Sequence, residues 1–458
     1  MSELREPLYA GFATEQIHGG GSSRAEHGAR VAPIHLSAGY IFEDAQQARD
    51  RFEGLADGYV YTRLGNPTNA DLERRLARLE HGHDAIFLSS GQAAISVAFL
   101  ALLNSGDHLV ASNSIYEGTR GLIVANLARL GIEADFVHDT NDIDEWQRKI
   151  RPNTRLVFGE SISNPTNDIL DIETVSQLAH SHGIPLVVDN TAATPYLLRP
   201  IEHGADIVIH SASKFLAGHG GALGGVIVDS GRFKWDGRAG YFPQLTAPDP
   251  GLFGESYVQR YQSQAFAVFA HDVIAGRLGP TASPFNAFLI RQGIETLSLR
   301  MERHCQNAQR VAEWLAACAE VSSVDFAGLT EHRNHRIAAK YLQRGFGSVF
   351  AFTLTGGEPA AHAFIEATRI FTHMTHLGDV RSLIVHPAST SHCQRTAEQQ
   401  ASCGIFPGTI RLSVGIEDIG DLLTDVARGI AAVQLIDNQL AARPAAELVI
   451  PGKQPTTR

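Results

Sequence analysis

Cysteine is scarce in this chain: Cys305, Cys318, Cys393 and Cys403 are the only four thiols in 458 residues, and none forms a C-x-x-C pair. That count and spacing exclude a disulfide framework and a cysteine-based structural zinc site, and they suit reduced cytoplasmic thiols. Basic runs are also missing, and the formal charge is -11. This argues against nucleic acid or an anionic membrane as the main partner and leaves small molecules as the expected ligands. No stretch is long and charge-free enough to span a bilayer, and the N-terminal MSELREPLYAGFATEQIH has no apolar run of signal-peptide length, so a cytoplasmic location is expected. No repeat of fixed period occurs, which excludes solenoids and propellers. His373, His376, His386 and His392 crowd the C-terminal third, but without HExxH or i,i+4 helical spacing, and no metal is expected.

What is present reads as an α/β protein. A chain this long exceeds what one hydrophobic core normally serves, so a large domain and a smaller one are expected. Residues 1–65 are rich in turn formers and read as an arm lying on something else. Residues 66–282 form the large domain. NPTNADLERRLARLEHG begins with capping residues and spaces Leu72, Leu76 and Leu79 as a helix ending at Gly82; β/α alternation then continues to LGGVIVD. This pattern predicts a mainly parallel sheet covered by helices on both faces. Residues 230–275 hold an insertion dense in Gly, Pro and aromatics, expected to be functional or packed on a neighbour. Residues 283–458 begin with a long helical stretch, broken near Gly293, and continue as a smaller α+β domain whose polar end, 442–458, is expected to fray.

Two apolar strands carry the chemistry. IPLVVDN carries Asp189 at its end, beside Asn190, and GADIVIHSASKF carries Lys214 near its end, before Phe215. Ligands of open α/β sheets sit at the carboxyl ends of the strands. An acid and a lysine there suit pyridoxal 5'-phosphate (PLP), which needs a lysine for its Schiff base and a carboxylate to keep its ring nitrogen protonated. Ser211 and Ser213 stand where their hydroxyls can reach a phosphate. In LSSGQAA a small-residue turn opens a helix, so the N–H groups of Gly91 and Gln92 can also face a phosphate. YTRLGNPTN adds Tyr61 and Arg63, a phenol and a guanidinium whose fork matches phosphate oxygens. Singly, each of these is more often a cap, a steric turn or a solvated charge. Together they point to one site.

YTRLGNPTNADLE, SSGQAA, ESISNPTND, IPLVVDN, HSASKF and TIRLSVGIED occur in an order that resembles the Cys/Met metabolism PLP-dependent enzymes, the gamma-family of fold type I. The resemblance covers nearly the whole chain. It implies the PLP-dependent transferase fold, with a mainly parallel seven-stranded sheet in the large domain. Lys214 would hold PLP and shuttle protons, Asp189 would pair with the ring nitrogen, and Tyr116 would stack on the ring. Asn164 would bond the ring oxygen, Ser211, Ser213, Gly91 and Gln92 would cradle the phosphate, and Arg411 would clamp the substrate carboxylate. Tyr61 and Arg63 would reach a neighbouring subunit's cofactor, implying a dimer at least and a tetramer in the family's usual form. Tyr61 and Asn164 would also border the substrate.

FKWDGRAGYFPQLTAPDPG and the helix after it resemble the O-acetylhomoserine sulfhydrylase subgroup. That implies γ-replacement on O-acetyl-L-homoserine by sulfide or methanethiol, in methionine biosynthesis. Methionine γ-lyase and cystathionine γ-synthase are the rivals, and a non-catalytic PLP-binding scaffold is the remote one. The γ-lyases usually carry a cysteine where this chain has Gly118. Two departures stand out: His376, in THLGDVRSL, replaces the usual Asn or Ser and could bind the carboxylate, and Glu117 and Arg120 replace smaller or apolar residues beside Tyr116.

Overall fold

The computed structural model describes residues 11–20 and 28–441, so the expected fraying of 442–458 lies outside the described residues, as do residues 1–10 and 21–27 of the arm. The strands are β1 Asp84–Leu88, β2 His108–Ser112, β3 Glu133–Val137, β4 Thr154–Glu160, β5 Leu186–Asp189, β6 Ile207–Ser211 and β7 Gly225–Asp229; the apolar runs give strands buried on both faces, while edge strand β3 is only partly buried. They form one seven-stranded sheet in the order β1-β7-β6-β5-β4-β2-β3. β2 to β6 run parallel, and β7 lies antiparallel between β1 and β6. Five parallel strands without a polar face need helices on both sides, which the alternation supplies.

The helix Pro67–Leu79 shows why these helices form where they do. The Asn66 side chain accepts the Thr68 N–H at 2.9 Å, and Pro67 fills the first turn. Leu72, Leu76 and Leu79 are fully buried, each contributing roughly 1.5–3 kcal/mol of transfer free energy. The helical stretch expected from Ser283 breaks into Pro284–Ile294 and Leu297–Ala316. Gly293 is pressed against backbone at the break, where an added Cβ would lie 2.3 Å from the Ala217 carbonyl.

A second sheet collects the C-terminal strands β8 Val321–Asp325, β9 Val349–Leu354, β10 Thr372–His373, β11 Leu383–Val385 and β12 Thr409–Ser413 in the order β10-β11-β12-β9-β8. It packs over its own apolar cluster, centred on Phe326, Phe350, Phe352 and Phe364.

Part of the insertion packs on its own chain: Trp235 stacks on Phe266 at 5.4 Å and meets Phe242 edge-on at 5.1 Å, and all three are buried in the large core, while Phe253 is 78% exposed. Within the arm, the helix Phe12–His18 lies on its own chain. There Phe12 meets the Tyr196 ring at 5.1 Å, and Gln16 exchanges hydrogen bonds with Ser298.

Candidate active site

Parallel strands carry their last side chains to one edge of the sheet, and here that edge is acidic and hydroxylated. Glu160 ends β4, Asp189 ends β5 in register beside it, and Ser211 ends β6. The helix Gly91–Leu102 starts against them. Gly91 is required there, since a Cβ would come within 2.7 Å of the Ser211 Cβ. Opposite lies Arg411 of β12. These elements enclose a cavity of about 190 Å³.

Lys214, Asp189, Tyr116, Ser211, Ser213, Gly91, Gln92, Asn164 and Arg411 all line this cavity. Lys214 sits in the turn after β6, where Arg300 holds the following backbone by donating to the Phe215 carbonyl at 2.7 Å and the Gly293 carbonyl at 2.7 Å. Burial and the Arg411 charge bring the Lys214 amine down to about 8. Its Nζ donates to His376 Nδ1 at 3.0 Å, and burial pushes that imidazole down to about 4, so the ring is a neutral acceptor. His376 therefore meets the lysine, with its Nε2 buried and unpartnered among the described residues.

Arg411 is 5% exposed. Its Nη2 donates to the His376 carbonyl at 2.7 Å and its Nη1 to Asn164 Oδ1 at 3.4 Å, while Nε has no partner. Burial lowers its pKa to about 10, so it stays charged at neutral pH. A buried guanidinium with no carboxylate costs several kcal/mol. An incoming anion removes that cost.

The acids show the opposite imbalance. Burial raises both carboxyls, and Glu160 is pushed further by the neighbouring Asp189. Asp189 accepts the Thr191 N–H at 2.9 Å and makes no ion pair with a lysine or arginine among the described residues. Glu160 accepts the Tyr116 N–H at 2.5 Å. Ser90 caps the Gly91 helix through Ala93, which leaves the N–H groups of Gly91 and Gln92 free at the helix start, where anions bind. The Ser211 and Ser213 hydroxyls are 3.1 Å apart.

This set fits PLP: helix N–H groups and two hydroxyls for the phosphate, a carboxyl without a cation for the ring nitrogen, and a lysine of lowered pKa for the aldehyde. It holds no arginine near the phosphate donors. Tyr61 and Arg63 do not line this chain's cavity; Arg63 donates to the Gly276 carbonyl at the base of the arm.

Sequence reasoning missed Glu160, Thr191, Thr375 and Arg300. Glu160 was findable, because it closes the apolar run RLVFGE as Asp189 closes IPLVVD. Arg300 carries no local signal. Among the C-terminal histidines, His386 lies with Glu358 and His362 in a group whose ligand atoms fall within 4.8 Å of one another. Its ring nitrogens are engaged by Ser389 Oγ and the Pro407 carbonyl, each at 2.8 Å.

The family model for Cys/Met metabolism PLP-dependent enzymes matches residues 13–431. The O-acetyl-L-homoserine sulfhydrylase of Corynebacterium glutamicum is 43% identical over 427 residues, covering 92% of this chain and 97% of that one. The homocysteine synthase of Schizosaccharomyces pombe is 40% identical over 92% of this chain and 98% of its own length. A crystal structure assigned as an O-acetylhomoserine (thiol)-lyase, from Campylobacter jejuni, superposes with a TM-score of 0.87 at 36% identity. It covers 92% of this chain and 99% of that one, and it carries a pyridoxyl-lysine phosphate.

Proposed function

Because this chain belongs to the Cys/Met metabolism PLP-dependent enzymes, we propose that it catalyses γ-replacement on O-acetyl-L-homoserine with sulfide or methanethiol, releasing acetate and giving L-homocysteine or L-methionine. It is a PLP-dependent enzyme whose reaction belongs to methionine biosynthesis. The observation that carries the reading is the buried, carboxylate-free Arg411 across one cavity from Lys214. An amino acid held by its carboxylate at Arg411 presents its α-carbon to the lysine.

Bound PLP supplies an electron sink for the substrate's α-carbon. The side chains do the rest. Lys214 anchors the cofactor, and once displaced its Nζ removes the Cα proton. A pKa of about 8 leaves a usable fraction of neutral amine at neutral pH. One N–H donated to His376 Nδ1 leaves the amine lone pair free to point elsewhere. His376 thus orients the base, and its unpartnered Nε2 remains for the substrate. Asp189 would keep the ring nitrogen protonated, Tyr116 would cover the ring, and Asn164 would border the ring oxygen while sharing Arg411. Lys214 Nζ would also carry the Cβ proton whose loss lets acetate leave Cγ, and would return protons to Cβ and Cα after the thiol has added.

The wider organisation belongs to the same proposal: an arm over 1–65, a large domain over 66–282, a smaller one over 283–458, and a cytoplasmic homo-oligomer, a dimer at least and a tetramer in full. No helix among the described residues is long and apolar enough to cross a membrane. The arm supports the oligomer by exposing Leu36, Ile41, Phe52 and Leu55, with Ile41 93% exposed. A second copy would cover this apolar surface and bring Tyr61 and Arg63 to a phosphate site that lacks an arginine.

Two experiments test these readings. Mass spectrometry of products from O-acetyl-, O-succinyl- and O-phosphohomoserine, each with sulfide, methanethiol or cysteine, is expected to give homocysteine or methionine from the acetyl ester. A 2-oxo acid with ammonia, or cystathionine alone, would replace the assignment by one of the rivals. Mixing Arg63→Ala and Lys214→Ala subunits is expected to restore activity in hybrids, and inactive hybrids would refute subunit sharing.

A further inference from the structure

Glu117 and Arg120 flank the tyrosine segment, and neither is an idle surface charge. Glu117 Oε2 accepts from Arg395 Nη2 at 2.5 Å and lies 3.7 Å from His392 Nε2. The other terminal nitrogen of Arg395 donates to Cys403 Sγ. Asn113 Nδ2 donates to the same sulfur at 3.3 Å, and its Oδ1 accepts from Arg120 Nη1 at 2.8 Å. The loop 386–408, which joins β11 to β12 in the second sheet, is therefore pinned onto residues 113–120 of the first. The pin is largely dry: the side chain of Arg395 is 8% exposed, and its Nε has no partner among the described residues.

The segment receiving this pin is weakly held by itself. The α-helix Glu117–Gly121 continues through a π-helical turn at Leu122–Leu127 to residue 129, and has Tyr116 as an N-cap without a side-chain bond. A helical run of that length is marginal by itself in water. Its position comes from outside ties. Glu160 holds the Tyr116 N–H, and Gln92 Nε2 holds the Gly118 carbonyl at 2.9 Å, both from the first sheet's side. Arg395 supplies the tie from the second. Tyr116 itself is 48% exposed and has no ring partner fixing it over the cavity.

We propose that Arg395 and Glu117 are positioning residues that set Tyr116 over the cofactor, so that seating of the 386–408 loop and placement of the tyrosine are one event. This rests on the PLP reading of the cavity. Arg120, through Asn113 and Cys403, steadies the same loop at its far end.

The test uses Glu117→Gln, Arg395→Met and the double variant, each as holoenzyme and as cofactor-free protein. Each single change is expected to lower kcat/KM on the order of tenfold while the lysine-bound cofactor absorbance persists, and the double variant is expected to lose no more than the worse single, as for two residues acting as a unit. In the cofactor-free protein, amide exchange over residues 114–122 is expected to accelerate in all three variants. Arg395→Lys, which keeps the charge but not the fork, should recover part of both effects. Strictly multiplicative losses, or unchanged exchange over 114–122, would overturn the proposal. Glu117→Gln keeps the test decisive if Arg395→Met misfolds. A wild-type protein without PLP-dependent turnover would refute the cofactor reading, while the exchange comparison would still decide the pin.

Discussion

The two ends of the seven-stranded sheet are built from similar residues and do different things. At the end away from the cavity, Asp206 precedes β6, Asp229 closes the antiparallel β7, and Asp84 opens β1 beside it. Burial raises all three carboxyls, with Asp229 pushed up to about 8. At the other end burial raises Glu160 and Asp189 in the same direction. A shifted acid therefore does not mark the functional end. The difference lies in the cations. Asp206 takes His180 Nε2 and the Leu186 N–H, each at 2.8 Å, and Asp84 takes the Ala85 N–H and Gln264, while Asp229 takes only the Gly231 N–H at 2.9 Å and leaves Oδ2 unpartnered among the described residues, as a protonated acid can. The cavity end instead holds two cations, buried Arg411 and half-buried Lys214, with no carboxylate on either among the described residues. Uncompensated cations around a cavity call for an anionic ligand, whereas a buried acid that keeps its proton carries no charge to compensate.

The sharpest break in this contrast is Lys214→Ala, expected to abolish the lysine-bound cofactor absorbance and to cut turnover by at least about 10³-fold, since one residue serves as both anchor and base. Near-normal turnover would move the base elsewhere. Next comes Arg411→Met, expected to raise KM for the amino-acid substrate roughly 10²-fold by removing the charge-assisted bonds to its carboxylate, with a smaller change in kcat. An unchanged KM would show that the carboxylate binds elsewhere.

The same two cations give a smaller, activity-independent signal. In cofactor-free protein, amine-selective labelling of Lys214 followed against pH should have its midpoint near 8, because burial and the Arg411 charge both disfavour the ammonium. Arg411→Met removes one of these causes and should move the midpoint upward; a midpoint that stays put would show that burial acts alone.

Asp229→Asn probes the end away from the cavity and should leave kcat/KM within about twofold of the parent, as expected of a position distant from the site. Its effect is on stability, and the sign follows from the proton balance. The folded pKa of about 8 lies above the ordinary 3.8. Between those values the native state keeps a proton that the unfolded chain releases, so this group lowers stability progressively as pH rises from about 4 to about 8. The Tm advantage of the variant should grow across that window. A constant advantage would mean that the carboxyl is ionised throughout.

Much of the architecture was legible because its causes are local. Unbroken apolar runs mark β4 to β7, and spaced leucines after Asn66 mark a helix. The sheet rule then puts Asp189 and Lys214 at one edge. The insertion was harder: its aromatics read equally as interface or core, and only the stacking of Trp235 on Phe266 assigns that tryptophan to the core. The docking of Phe12 on Tyr196 was illegible for a like reason, since seven residues with one buried ring carry no periodicity to read.

The sequence by itself determined the class of fold, the order of the strands along the chain, the residues that end them, and the cofactor those residues suit. All of this depends on neighbours a few positions apart, whose chemistry is visible in one line of letters. Only the tertiary structure decided that His376 meets Lys214 across 162 residues, that Arg395 grips Glu117 across 278, and that Arg411 has no carboxylate partner among the described residues. Such pairings depend on how two sheets and their loops pack. Periodicity says which face of an element is buried, but not which side chain of another element it will meet there.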